Sequence, residues 1–156
     1  MASNRHFARI VVMQSLYEVL QRGDDLTEVI DRHLKNHEFD ENNTKFIHKL
    51  GSGVIDHMKE IDEVITISAP EWPINQIAQV DLSILRLAIF ELLFDDEVPP
   101  KAVINEAVEL GKAYGGENTS KFVNGVLGTV FRNSGKYDEK TDSKPRPKKE
   151  TKDKKE

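Results

Sequence analysis

The chain has 156 residues and no cysteine, which excludes disulfides, thiol catalysis and cysteine-ligated metals and suits a reducing cytosol. The stretch from Lys136 to Glu156 holds nine basic and six acidic residues, leaving 13 and 21 in the first 135, a net charge of −8; a body of that sign is a poor general binder of nucleic acid, because phosphate contacts need Lys and Arg. The N-terminus has no long apolar run before a cleavage site, and the most apolar stretch, LRLAIFELLF, carries Arg86 and Glu91 and is far too short to cross a bilayer, so neither a secretory signal nor a membrane span is expected.

Taken in order, the chain reads as helices separated by turn residues. Ser3 or Asn4 is suited to cap a first helix whose apolar face is Ala8, Val12, Leu16 and Val19. Gly23-Asp24-Asp25 stops it, and a second helix starts at Leu26 with Val29, Ile30 and Leu34 on one side. Asn43 or Thr44 opens a longer helix running through Phe46, Leu50, Val54, Ile61 and Ile65. Gly51 and Gly53 inside it cost about 1 kcal/mol each against Ala, which implies a close helix crossing or a local break. Pro70, Trp72 and Pro73 end this half. The stretch from Val80 to Phe94 predicts the most buried helix, and Pro100 fits the first turn of the next, where its missing N–H costs nothing. Val103, Ala107, Leu110 and Tyr114 recur at helical spacing, as do Phe122, Val126 and Val130, with a tight Gly115-Gly116 turn between the two helices. No segment alternates with period two. The expectation is an all-α bundle of about six or seven helices in two halves, spanning residues 1–135. Residues 136–156, rich in Lys, Asp, Glu and Pro, are expected to be disordered.

Few residues suggest chemistry. His33 and His37 are four apart, as two metal ligands on a helix are, but no third ligand is near in sequence. Arg86, Asn105 and Glu106 sit amid apolar helices; the structural reading is that Arg86 bonds a carboxylate or helix-end carbonyls, because a buried charge must be paired. Arg5, His6 and Arg9 cluster on the first helix, with Arg5 and Arg9 on a shared face. On the residues alone this is a solvated first turn, although guanidinium planes also bond phosphates and stack on bases. No phosphate-binding glycine loop, HExxH motif or cofactor signature is present.

INEAVELGKAYG followed by SKFVNGVL closely resembles the C-terminal signature of the NusB family of bacterial transcription antitermination factors. ILRLAIFELLFDDEVPPKAVINEA looks like the segment preceding that signature, and RHFARIVVMQSLYEVL is similar to the family's first helix. The resemblance covers roughly residues 4 to 132. It implies a non-catalytic, cofactor-free cytoplasmic factor that binds single-stranded boxA RNA together with the ribosomal protein NusE and joins the elongating polymerase complex, being a monomer or homodimer when free. Arg5 and Arg9 match arginines of an RNA-contacting run, while His6 and Phe7 stand where other members often have further arginines. Tyr114, Asn118, Lys121 and Phe122 match a second RNA-contacting patch, and Tyr17 matches a first-helix tyrosine near it. Glu91 and the acidic Asp95-Asp96-Glu97 loop are the residues expected to meet the basic partner. A subunit of a split RNA methyltransferase and a protein-only adaptor that has lost RNA binding are the two other readings.

Overall fold

The computed structural model describes residues 2–135, with side chains from Asn4 onward. Among these residues it contains α1 (Ala2–Arg22), α2 (Leu26–Lys35), α3 (Glu41–Asp56), α4 (Met58–Ser68), a 3-10 turn (Ile74–Gln76), α5 (Gln79–Leu93), α6 (Pro100–Tyr114) and α7 (Thr119–Arg132), and no strand. The all-helical bundle expected from the sequence is what forms. The disorder expected for residues 136–156 lies outside the described residues.

The bundle is built around α5, against which α1, α3, α4, α6 and α7 all pack. Every residue from Leu82 to Leu92 is buried. A helix that is apolar nearly all round belongs in a core rather than at its edge, and Ile84, Leu85 and Ile89 have no exposed surface at all. The two charged residues within that buried run, Arg86 and Glu91, are tolerated there because both are paired. Arg86 donates from Nε and Nη2 to the two carboxylate oxygens of Asp62 on α4, each at 2.9 Å, as the sequence led us to expect of a buried arginine. Glu91 is paired with Arg9 of α1.

Helix boundaries differ from expectation where a cap was misassigned. α1 already includes Ser3 and Asn4, so neither caps it. α3 begins at Glu41 because Asp40 is its cap, the carboxylate accepting from the Asn43 N–H at 2.8 Å; Asn43 is then interior and buried. Asp25 caps α2 in the same way, through the Glu28 N–H.

The long third helix is in fact two. The break falls at His57, whose ring stacks on Phe94 with centroids 4.1 Å apart and whose Nδ1 meets Glu60 at 2.8 Å. The glycines mark close packing instead. A Cβ at Gly53 would stand 2.2 Å from the Phe90 ring, so the absence of a side chain lets α3 approach α5. After His57, α4 packs on α5 and α7, so the chain passes to its second half ahead of Trp72. Trp72 itself is half-exposed, with its ring edge-on to Phe122.

The α6–α7 hairpin closes tightly. Thr119 accepts from the Gly116 N–H and donates to Asp81 at the start of α5, both at 2.9 Å. A Cβ at Gly115 would lie 2.5 Å from the Thr119 side chain. This buried threonine therefore ties the turn that carries Tyr114, Asn118 and Lys121 to the central helix.

Candidate nucleic-acid interface

α1 and α6 both pack against α5. His6 near the start of α1 bonds Glu106 in the first half of α6, and Tyr17 toward the end of α1 shares a cleft with Tyr114 at the end of α6. The two helices therefore run in the same direction. Residues from the two ends of the sequence are brought onto one surface.

The start of α1 is occupied by contacts within the protein. Arg9 donates from Nε and Nη2 to both Glu91 oxygens, at 2.8 and 2.9 Å, and only 7% of the residue is exposed. Burial alone would lower its pKa; the hydrogen bonds and charge of Glu91, with Glu106 and Asp95 behind it, outweigh that and raise it. The Arg5 guanidinium lies 3.8 Å over the Phe46 ring of α3, a cation–π contact. His6 is half-buried on Glu106.

The other end of α1 is open. Met13, Gln14, Tyr17 and Glu18 of α1, His33 of α2, Val80 and Ser83 of α5, and Tyr114 of α6 line a cleft of about 440 Å³. Tyr17 is 37% exposed and Tyr114 42%. Glu18 accepts from Arg32 at 3.0 Å and meets His33 Nε2 at 2.7 Å. Burial would raise the Glu18 pKa, but these two neighbours hold it below the ordinary carboxylate value. The hydroxyl of Ser83 is buried with no hydrogen-bond partner.

The residues expected at an RNA surface thus divide. Tyr17 and Tyr114 meet at the cleft, and Asn118 and Lys121 are exposed at the adjoining turn. Phe122 is half-buried against Trp72 and does not line the cleft. Arg5 is partly exposed, but Arg9 does not share an open face with it. The expectation of Arg9 as a surface cation is corrected by its burial on Glu91.

Glu91, expected at a partner surface, is corrected by the same ion pair, being 3% exposed. Asp95 is also buried, accepting from the Glu97 N–H at 3.1 Å and facing Lys49 at 3.5 Å. Both carboxylates are taken up inside the fold, leaving Asp96 and Glu97 exposed in that loop, with Glu97 also facing Lys49.

Sequence reasoning passed over Gln14, Glu18 and Ser83, and weighed His33 only as a metal ligand with His37; its ring instead meets Glu18, and His37 bonds the His33 carbonyl. Gln14, Tyr17, Glu18 and Gln21 lie three or four apart, a polar row beside the apolar face of α1 that was legible in the spacing. Gln21 continues the row by donating to Gln79 at the start of α5. Nothing in the spacing of His33 indicated that its partner would be Glu18 on another helix.

A family model described as the NusB family matches residues 6–132. The transcription antitermination protein NusB of Chloroflexus aggregans is 45% identical over 132 residues, covering 83% of this chain and 88% of that relative. The protein of the same name from Clostridium acetobutylicum is 34% identical, over 84% of this chain and 97% of its own length. Among solved structures, T. maritima NusB superposes with a TM-score of 0.76 at 30% identity, covering 83% of this chain and 91% of that one. A chain solved as antitermination factors NusB and NusE in complex with dsRNA gives 0.77 at 30% identity, over 85% of this chain and 98% of its own.

Proposed function

The chain belongs to the NusB family, and from that premise we propose that it is a transcription antitermination factor which binds boxA-type RNA jointly with the ribosomal protein NusE during ribosomal RNA transcription. It acts in the cytoplasm as a binding protein, with no reaction of its own and no cofactor. Support for the partner and for RNA comes from the similar chain solved with NusE and RNA. The observation that carries the RNA surface is the meeting of Tyr17 and Tyr114 on one cleft, beside the exposed Asn118 and Lys121.

Exposed aromatic rings serve single strands better than duplexes. Unpaired bases can leave their neighbours and stack on a side chain, whereas bases in a helix are already stacked. We therefore read the RNA as single-stranded, although the similar complex holds a duplex. The body supplies few cations: 13 basic against 21 acidic residues, with Arg9 turned inward. Tight binding accordingly needs the basic surface of the partner.

The adaptor reading draws on the same shortage of cations. Titrating labelled boxA RNA, single-stranded and as a duplex, with the full chain alone and with NusE, at two salt concentrations, separates the two. Weak binding alone, tight salt-sensitive binding of the single strand with NusE, and a poorer duplex are expected. RNA affinity of the pair equal to that of NusE alone would leave the adaptor as the better reading.

A further inference from the structure

We propose that the cleft between α1, α2, α5 and α6 captures a single unstacked nucleobase and favours one bearing an exocyclic amino group, with Glu18 as the group that reads it. This rests on the RNA-binding function above and specifies what one part of that surface recognises.

The cleft has the size for such a ligand. Its volume of about 440 Å³ falls in the range of roughly 300–1,000 Å³ typical of small-ligand sites. Tyr17 and Tyr114 stand at it from different helices, both partly exposed, so a base can gain stacking there without disturbing the core. Met13 and Val80 add apolar lining. The polar residues open to it are few: Gln14, Glu18 and His33, the last two in direct contact. Ser83 has no exposed surface, so its hydroxyl, which has no protein partner, lies beneath the floor of the cleft and out of a ligand's reach, and recognition falls to the groups above it.

Glu18 supplies the selectivity. An ionised carboxylate accepts hydrogen bonds and donates none, and its two oxygens offer about four acceptor positions. Arg32 and His33 occupy one position on each oxygen and fix the group in place. Capacity is left for a donor from a ligand. The amino groups of cytosine, adenine and guanine are such donors on the Watson–Crick edge. Uracil offers only its N3–H, flanked by two carbonyl oxygens that would face the carboxylate and repel it. Arg32 also offsets the Glu18 charge, so a phosphate backbone passing outside the cleft meets a smaller negative field.

The test uses the full chain and the four mononucleotides GMP, AMP, CMP and UMP, followed by two-dimensional NMR at fixed ionic strength. The amide signals of Tyr17, Glu18, His33 and Tyr114 should shift saturably. The three amino-bearing nucleotides should bind about tenfold more tightly than UMP, the size of one charge-assisted hydrogen bond. Glu18→Gln should reduce that preference to within about twofold, and Tyr114→Ala, at an exposed position, should weaken all four alike. Equal affinity for UMP, a preference that survives Glu18→Gln, or shifts confined to other residues would overturn the proposal. A parallel titration with single-stranded RNA in the presence of NusE keeps the two readings apart. RNA that binds the pair without moving these four signals removes the pocket and leaves the function; RNA that does not bind the pair removes the function itself.

Discussion

The two ends of α1 use their polar residues in opposite ways. At the first end, Arg5 lies on Phe46, His6 on Glu106 and Arg9 on Glu91, so every basic side chain there is engaged by another helix of the same protein. At the other, Tyr17, Gln14 and Glu18 surround a cleft with open volume. A row of arginines on a helix is easily taken for a nucleic-acid footprint. Here one of the two arginines expected to face RNA, Arg9, holds α1 to the central helix, and the aromatic end is the one left free for a ligand.

Arg9→Ala should have the largest effect of any change that breaks this contrast. Removing one partner leaves Glu91 buried and uncompensated, a loss of about 3–5 kcal/mol, to be read by denaturant titration. Replacing both partners with apolar residues, Arg9→Met with Glu91→Leu, should recover much of that, because the pair's desolvation cost disappears with the pair. If Arg9→Ala left stability unchanged while weakening RNA binding, the first end of α1 would be a surface after all. Arg9→Ala is thus unsuited as a probe of RNA contact alone.

Leu85→Ala calibrates that number against a purely apolar site on the same helix. Leu85 has no exposed surface, so a loss of about 2–5 kcal/mol is expected. A change below about 1 kcal/mol would mean that α5 is not the packed axis described above.

Lys121→Ala should do the reverse of Arg9→Ala. The residue is exposed on the first turn of α7, so the melting temperature should hardly move. Binding of single-stranded RNA with NusE should weaken, with the salt slope falling by about 0.7 for the single phosphate contact removed. An unchanged slope would take Lys121 off the RNA path.

These contrasts also mark how far the sequence could be read. The helices, and the dominance of the Val80 to Phe94 segment, follow from local spacing, which needs no partner to interpret. That Arg86 needs a partner, a carboxylate or helix-end carbonyls, was legible because it is flanked by apolar residues on both sides, and the carboxylate of Asp62 is the one it finds. Arg9 was misread although Ala8, Val11 and Val12 around it are all buried. Its partner lies 82 residues away, and nothing local separates an arginine that turns inward from one that turns outward. The cleft was half legible for the same reason: Tyr17 and Tyr114 stood out through the family resemblance. Glu18, His33 and Ser83 come from three helices, and only the packing brings them together.

The open end of α1 carries one further contrast, in its response to acid. The Glu18 pKa is lowered in the folded protein, against an ordinary value of 4.5, by the hydrogen bonds and charges of His33 and Arg32 working against burial. Between the lowered value and 4.5 the unfolded chain binds more protons at this site than the folded one, so stability rises with pH across that window. The Glu18 contribution is fully present above the unfolded value and is lost as pH falls through the folded one. Glu18→Gln isolates it from the other carboxylates, because glutamine has nearly the shape of a protonated glutamate. The melting temperature of the parent should exceed that of the variant at about pH 5.5, where Glu18 is ionised in both states. The margin should shrink below 4.5 and close at lower pH, where Glu18 is neutral in both states. The effect should be small, since Glu18 and Arg32 are partly open to solvent, and smaller still at high salt. A margin that stayed constant through the acid range would mean that Arg32 and His33 do not hold the carboxylate, and the fixed acceptor in the cleft would be lost with them.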